Sequence, residues 1–239
     1  FTAFQKVSSP NVTAEKFMVN FLHIRPKFFD RVKKWASTAE DIVVVMDGSE
    51  SINKCEFEKG KKALKGIMSL ASSNPRQDTK YAAVTFSCAA SVNFKFLTYP
   101  SAGNKILSIT YPGGGSNIQA GLAEAKKLFD DPSSGIYLFN FVHLKIVFLV
   151  TDGQWNEFPH LTIPKANALK GIGVDIYVVA VGRYISGIDE MVKVASSPPE
   201  NYVFRVKKNS ALWDVVKLVI KQVNPGKYAV LNGQYDPPC

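Results

Sequence analysis

A short β-branched run, Asp41-Ile42-Val43-Val44-Val45-Met46, leads directly into Asp47-Gly48-Ser49-Glu50-Ser51. An apolar run without polar alternation reads as a strand buried on both faces, as in a parallel sheet covered by helices. The turn that follows puts a carboxylate and two hydroxyls at the C-terminal tip of that strand, where open α/β sheets bind their ligands. Hard oxygen donors at alternate positions on a tight turn suit a small cation such as Mg²⁺, which takes few carboxylates and keeps several waters. The same pentapeptide also fits an acidic turn that merely caps a helix, so it does not decide the matter alone.

Two further segments add donors. Leu144 to Val150 is a second apolar run and ends in Thr151-Asp152-Gly153. Gly113-Gly114-Gly115-Ser116-Asn117 is a glycine-rich loop that leads into the amphipathic stretch Ala120 to Phe129. Asp47, Ser49, Ser51, Ser116 and Asp152 are then five candidate oxygen ligands from three separate loops. In this pattern the chain resembles the von Willebrand factor type A family, whose metal-ion-dependent adhesion site uses Asp-x-Ser-x-Ser, a loop Thr and a strand-end Asp-Gly. The resemblance runs from Glu40 to Ile220 and takes in Phe57-Glu58-Lys59-Gly60, the strand Tyr81 to Ser87, and Val178-Val179-Ala180-Val181-Gly182. It implies that those five residues surround one Mg²⁺, with Ca²⁺ or Mn²⁺ as alternatives. Ser116 stands where the family usually has Thr, Ile118 where a second Thr is common, and Glu50 where Gly is frequent. Glu50 is expected to face solvent, with an electrostatic contribution to cation binding as the other reading.

Strand and helix patterns alternate through the rest of the chain. Strands are predicted over 41–46, 80–87, 91–96, 144–151, 174–181 and 202–206, and helices over 54–71, 103–109, 118–129, 162–171, 187–195 and 210–221. This order predicts a doubly wound, mostly parallel α/β sheet with helices on both faces. Strands 80–87 and 91–96 lie too close for a crossover helix, so they should form an antiparallel edge hairpin. Upstream, Thr13 is predicted to cap a helix from Ala14, with Phe17, Phe21 and Ile24 on one stripe. A basic amphipathic turn with Phe28, Val32 and Trp35 follows Pro26. The stripe reads as a docking surface for the domain, with a membrane or polyanion surface as the other reading. Asn224-Pro225-Gly226 should end the last helix and leave Tyr228 to Cys239 as a Pro-containing tail. The expected organisation is a basic extension over 1–39, an A-type domain over 40–222 and a tail over 223–239.

The net charge of +9 is unevenly placed. Residues 1–40 carry seven Lys/Arg against three acids, residues 201–239 six against two, and the middle sixteen against fifteen. The resemblance puts both chain ends opposite the metal rim. Lys33, Lys34, Lys207 and Lys208 are therefore expected on a basic lower surface able to hold acidic polysaccharide, acidic protein or a membrane surface. Solubility alone is the competing reading. Nucleic acid is excluded as a partner because no helix-turn-helix, finger or aromatic platform accompanies the charge. No apolar run approaches the roughly 18 residues needed to cross a membrane. No N-terminal signal segment is read in the sequence, and Phe1 reads as a processed or truncated terminus.

Three cysteines and the glycosylation acceptor Asn11-Val12-Thr13 fit an oxidising compartment. The family's strand order implies that Cys55, opening the first helix of the domain, and Cys88, at the end of the second strand, come close enough for a disulfide. Cys239 would then be left for a bond to a second chain or to a segment outside this sequence; two buried thiols at Cys55 and Cys88 are the alternative.

Catalysis is not expected. His23, His143 and His160 are scattered, and the glycine run lacks the Gly-Lys-Ser/Thr ending of a nucleotide loop. The resemblance implies a secreted matrix adhesion protein that binds collagen, or another matrix partner offering a carboxylate, through its cation. A matrix crosslinker assembled by Cys239 and the basic flanks is the second reading. A third, an intracellular member of the family acting inside a metal-dependent assembly, would be favoured by free thiols at Cys55 and Cys88.

Overall fold

The computed structural model of the chain describes residues 2–24, 38–73, 77–137, 143–153, 158–232 and 236–239. Lys33 and Lys34, with the predicted turn around Phe28, Val32 and Trp35, lie outside the described residues. Six strands form one sheet: β1 Thr38–Asp47, β2 Gln77–Phe86, β3 Ala90–Thr98, β4 His143–Thr151, β5 Val174–Val181 and β6 Val203–Val206. The helices among the described residues are α1 Pro10–Asn20, α2 Lys54–Ala71, α3 Ser101–Leu107, α4 Ile118–Asp130, α5 Thr162–Lys170, α6 Ile188–Val194, α7 Pro199–Tyr202, α8 Asn209–Val223 and α9 Pro225–Asn232.

Strand order is β3-β2-β1-β4-β5-β6, with β2–β3 antiparallel and the other pairings parallel, as the hairpin spacing predicts. β1 is central because it is apolar on both sides. Ile42, Val44 and Met46 face the layer of α1, α2 and α8, while Val43 and Val45 face the layer of α4, α5 and α6. In register, Asp47 lies opposite Phe86 of β2 and Met46 opposite Val150 of β4. The loops after β1 and β4 therefore leave the same rim at the same height.

The N-terminal helix begins earlier than Thr13. Ser9 caps it by accepting from the Val12 amide, Pro10 fills the first turn where a missing N–H costs nothing, and Thr13 is buried inside the helix. The predicted docking stripe is part of the core. The Phe17 ring lies 5.2 Å from Phe204 and 6.0 Å from Phe148, and Phe21 lies 4.7 Å from Phe148 and 5.0 Å from Tyr177.

The C-terminal region departs from the expected tail. After α8 ends at Val223, Pro225 starts a further helix instead of an irregular run. Residues 236–239 then lie along α2. Asp236 is 3.5 Å from both Lys59 and Lys62, and Lys59 donates to the Pro237 carbonyl. This path brings Cys239 to Cys55, and the two form a disulfide with Cα atoms 5.6 Å apart. The expected Cys55–Cys88 bond is thus replaced by Cys55–Cys239, and Cys239 has no thiol for a link between chains. Cys88 is an exposed free thiol in the turn after β2. Its sulfur turns toward the glycine loop, where it accepts from the Gly115 amide at 3.0 Å, rather than toward α2.

Candidate metal centre

Asp47 ends β1, between β2 and β4, and is buried. Its Oδ1 accepts from the Ser49 amide at 3.0 Å and from the Ser49 hydroxyl at 2.6 Å. Ser49 Oγ lies 2.9 Å from Ser51 Oγ, so the three donors of the Asp-x-Ser-x-Ser turn form one continuous polar chain. Ser49 is buried and Ser51 is exposed, which orders the chain from core to solvent. The turn is tight because Gly48 has no side chain. A Cβ there would meet Pro112 Cγ at 2.6 Å and Thr85 Cγ2 at 3.1 Å.

The glycine loop is stitched to this turn. The Glu50 amide donates to the Gly114 carbonyl at 2.9 Å, and the Asn117 amide donates to the Ser87 carbonyl at 2.8 Å. Ser116, between those two anchors, is buried. Asn117 caps α4 by accepting from the Ala120 amide, so the loop ends where the helix needs a polar side chain. Glu50 is exposed, as expected.

Asp152 follows β4 on the same rim, half-buried. Burial and the nearby charge of Asp152 push the Asp47 carboxyl up to about 6, against hydrogen bonds from Ser49 and Thr151 that hold it down. The structure thus brings the loops of all five predicted site residues to one place. Sequence reading passed over two participants. Thr151 donates from Oγ1 to Asp47 Oδ2 at 2.6 Å and accepts from the Gly153 amide at 3.1 Å. Tyr111 donates to the Ser49 carbonyl at 3.1 Å, bracing the turn from the loop before the glycines. The hydroxyl immediately preceding the second aspartate was the available signal for Thr151; Tyr111 had none.

Two of the four basic residues expected on the lower surface sit at this rim. Lys207 and Lys208 are exposed in the turn after β6. They line a groove of about 280 Å³ together with Ser51, Glu56, Asp152 and Cys239. β6 runs parallel to β5, so its C-terminal end must lie on the same side as those of β1 and β4. The C-terminal segment also reaches this side, through Cys239.

The sheet order, the rim position of both aspartates and the polar turn agree with a family comparison. The model for the von Willebrand factor type A domain matches residues 41–218. The chain belongs to that family. Among curated relatives of this A domain, human integrin alpha-D is 26% identical over 193 residues, covering 77% of the chain and 16% of the integrin. Chicken matrilin-3 is 28% identical over 170 residues, covering 70% of the chain and 36% of the matrilin. The A domain thus spans well under two thirds of the length of either relative. Among solved structures, proximal thread matrix protein 1 from the mussel byssus superposes with a TM-score of 0.65 at 25% identity, over 80% of this chain and 49% of that one. Another structure of that mussel protein, described as having a zinc-occupied MIDAS motif, gives a TM-score of 0.64 at 26% identity over 80% and 49%.

The donor set here fits a hard divalent cation. It offers only oxygens, and burial first, then the charge of Asp152, raises Asp47, an unfavourable placement of negative charge that a cation between the two carboxylates offsets. No helix among the described residues is long and apolar enough to cross a membrane.

Proposed function

We propose that this A domain is an adhesion module of the extracellular matrix. In this reading Asp47, Ser49, Ser51, Ser116 and Asp152 hold one divalent cation, with Mg²⁺ as the native ion, and a matrix partner presents a carboxylate to it. The observation that carries the reading is the polar chain Ser51–Ser49–Asp47, locked by Thr151 beside the like charge of Asp152. A hard cation bound by only two carboxylates leaves coordination positions for waters and for an oxygen of the partner. The protein's own residues do the rest. Buried Asp47 supplies fixed negative charge, Ser49 and Ser51 extend the donor line to the surface, and Thr151 and Tyr111 stop the turn from relaxing.

Collagen is the partner we favour, and secretion the setting. The mussel matrix protein and the matrilin supply the analogy, and the Cys55–Cys239 disulfide fits an oxidising compartment. The Cys55–Cys239 disulfide leaves the crosslinker reading with the basic flanks alone and counts against the intracellular reading, which free thiols would have favoured.

The experiment is retention on immobilised collagen with Mg²⁺ or with chelator, across a salt series, for the native chain and Asp152→Ala. Metal-dependent adhesion predicts loss on chelation and in the variant, with only modest sensitivity to salt. Attraction by exposed lysines is instead screened over about 8 Å at physiological ionic strength. Binding that ignores chelator yet vanishes with moderate salt refutes the proposal, as does unchanged Mg²⁺ affinity of Asp152→Ala by calorimetry.

A further inference from the structure

We propose that Lys207 and Lys208 form the second half of the partner site, so that the preferred partner is an acidic peptide with two nearby carboxylates, one for the cation and one for the lysine pair. This rests on the metal reading above and adds to it the chemistry of the segment that is recognised.

Both lysines line the groove that contains Ser51 and Asp152, and both are exposed. Among the described residues neither makes an ion pair. Their position does nothing for the helix that follows. Lys208 is the residue before α8 and makes no side-chain cap. A cation at a helix N-terminus opposes the helix dipole, and the adjacent Lys207 adds like-charge repulsion. The capping work is done from across the groove by Glu56, which accepts from the Ser210 amide at 2.8 Å and from its hydroxyl at 3.0 Å. Glu56 is therefore committed to α8, and the lysines are left facing the groove.

Formal charge gives the pair a sense of timing. Among the groove's lining residues Asp152 and Glu56 balance Lys207 and Lys208, with Asp47 and the exposed Glu50 adding negative charge beside them. A divalent cation at Asp47 and Asp152 offsets that added charge, next to a site that itself takes a carboxylate. An acidic group displaced along the groove from the first then meets two ammonium groups rather than a net repulsive surface. A groove of about 280 Å³, bordered by the Cys55–Cys239 disulfide, has room for a short peptide stretch. A long polyanion needs an extended basic stripe instead, which favours the peptide over an acidic polysaccharide.

The test uses the full chain, blocked synthetic peptides carrying two glutamates separated by one to three glycines, and the same peptides with either glutamate changed to glutamine. Calorimetry in Mg²⁺ compares the native chain with Lys207→Ala/Lys208→Ala. The double variant should keep its Mg²⁺ affinity within about twofold and lose about fivefold in affinity for the best two-glutamate peptide, as expected for partly screened pairs. It should bind the single-glutamate peptides as the native chain does, and chelator should abolish binding of every peptide. Equal losses for one- and two-glutamate peptides, or no loss at all, overturn the proposal while leaving the metal site standing. Peptide binding that persists in chelator, or no Mg²⁺-dependent binding of any peptide, overturns both readings. Retention on heparin that depends on the lysines but not on Mg²⁺, with no peptide preference, assigns the pair to a polyanion and likewise overturns it.

Discussion

Thr151 Oγ1 donates to Asp47 Oδ2 at 2.6 Å, while Asp47 Oδ1 takes both the amide and the hydroxyl of Ser49. Both carboxylate oxygens of the central aspartate are thus held by neighbours on two adjacent strands and their loops. The Gly153 amide donates in turn to Thr151, which fixes the hydroxyl and links it to the loop bearing Asp152. The near-isosteric Thr151→Val removes one donor from a buried acceptor. It should cost about 1–3 kcal/mol in urea unfolding with chelator present, and it should weaken Mg²⁺ binding in calorimetry. Thr151→Ser should retain most of both.

The Asp47 carboxyl, raised to about 6, sets a pH dependence. With chelator present, the folded chain binds this proton more readily than the unfolded chain does. The ionised group therefore destabilises the fold at neutral pH, and stability is regained as pH falls through about 6 toward the unfolded value near 4. The size is on the order of 2–3 kcal/mol by linkage. Urea midpoints of the native chain measured against Asp47→Asn from pH 7 to pH 4 isolate the effect: the native chain should gain relative to the variant. Proton and cation compete for the same carboxylate, so Mg²⁺ affinity should fall over the same interval.

The disulfide joins residues 184 positions apart and closes a loop that contains β2 to β6 but leaves β1 outside it. Cys239→Ser should lower stability by about 2–5 kcal/mol, the range seen on removing native disulfides, with the change read from urea unfolding without reductant. Thiol labelling of the native chain should modify Cys88 and neither Cys55 nor Cys239. A non-reducing peptide map that pairs Cys55 with Cys88 would refute the assignment.

Phe17 inserts between Phe148 of β4 and Phe204 of β6 and is fully buried. Phe17→Ala should therefore cost about 3–5 kcal/mol, as for a large core residue. A loss below 1 kcal/mol in denaturant unfolding would mean that α1 is a dispensable extension rather than part of the domain's core.

Much of the site was legible because it is written in contiguous turns. Asp47, Ser49 and Ser51 are two residues apart, so the local geometry of one turn brings them together whatever the rest of the chain does. The strands that carry them were legible for the same reason: Val43 and Val45, alternating with Ile42, Val44 and Met46, satisfy both faces of a buried strand. The helix expected over 54–71 has those bounds in the structure, where Asn53 caps it and its buried apolar residues recur at helical spacing. Where two local signals competed, the reading failed: Thr13 looked like a cap, yet Ser9 followed by Pro10 starts the helix one turn sooner.

By itself, then, the sequence determined the alternation of elements, the parallel sheet with one antiparallel edge, and the oxygen-rich turns at its rim, since all of these follow from short-range pattern. Only the tertiary structure decided the partner of Cys55, because residues 236–239 are placed by Asp236 meeting Lys59 and Lys62 on α2. It also decided that Lys207 and Lys208 stand beside the metal loops, and that Thr151 and Tyr111 brace them. Distances between residues far apart in sequence are set by sheet register and by the packing of whole helices, neither of which is encoded within a single turn.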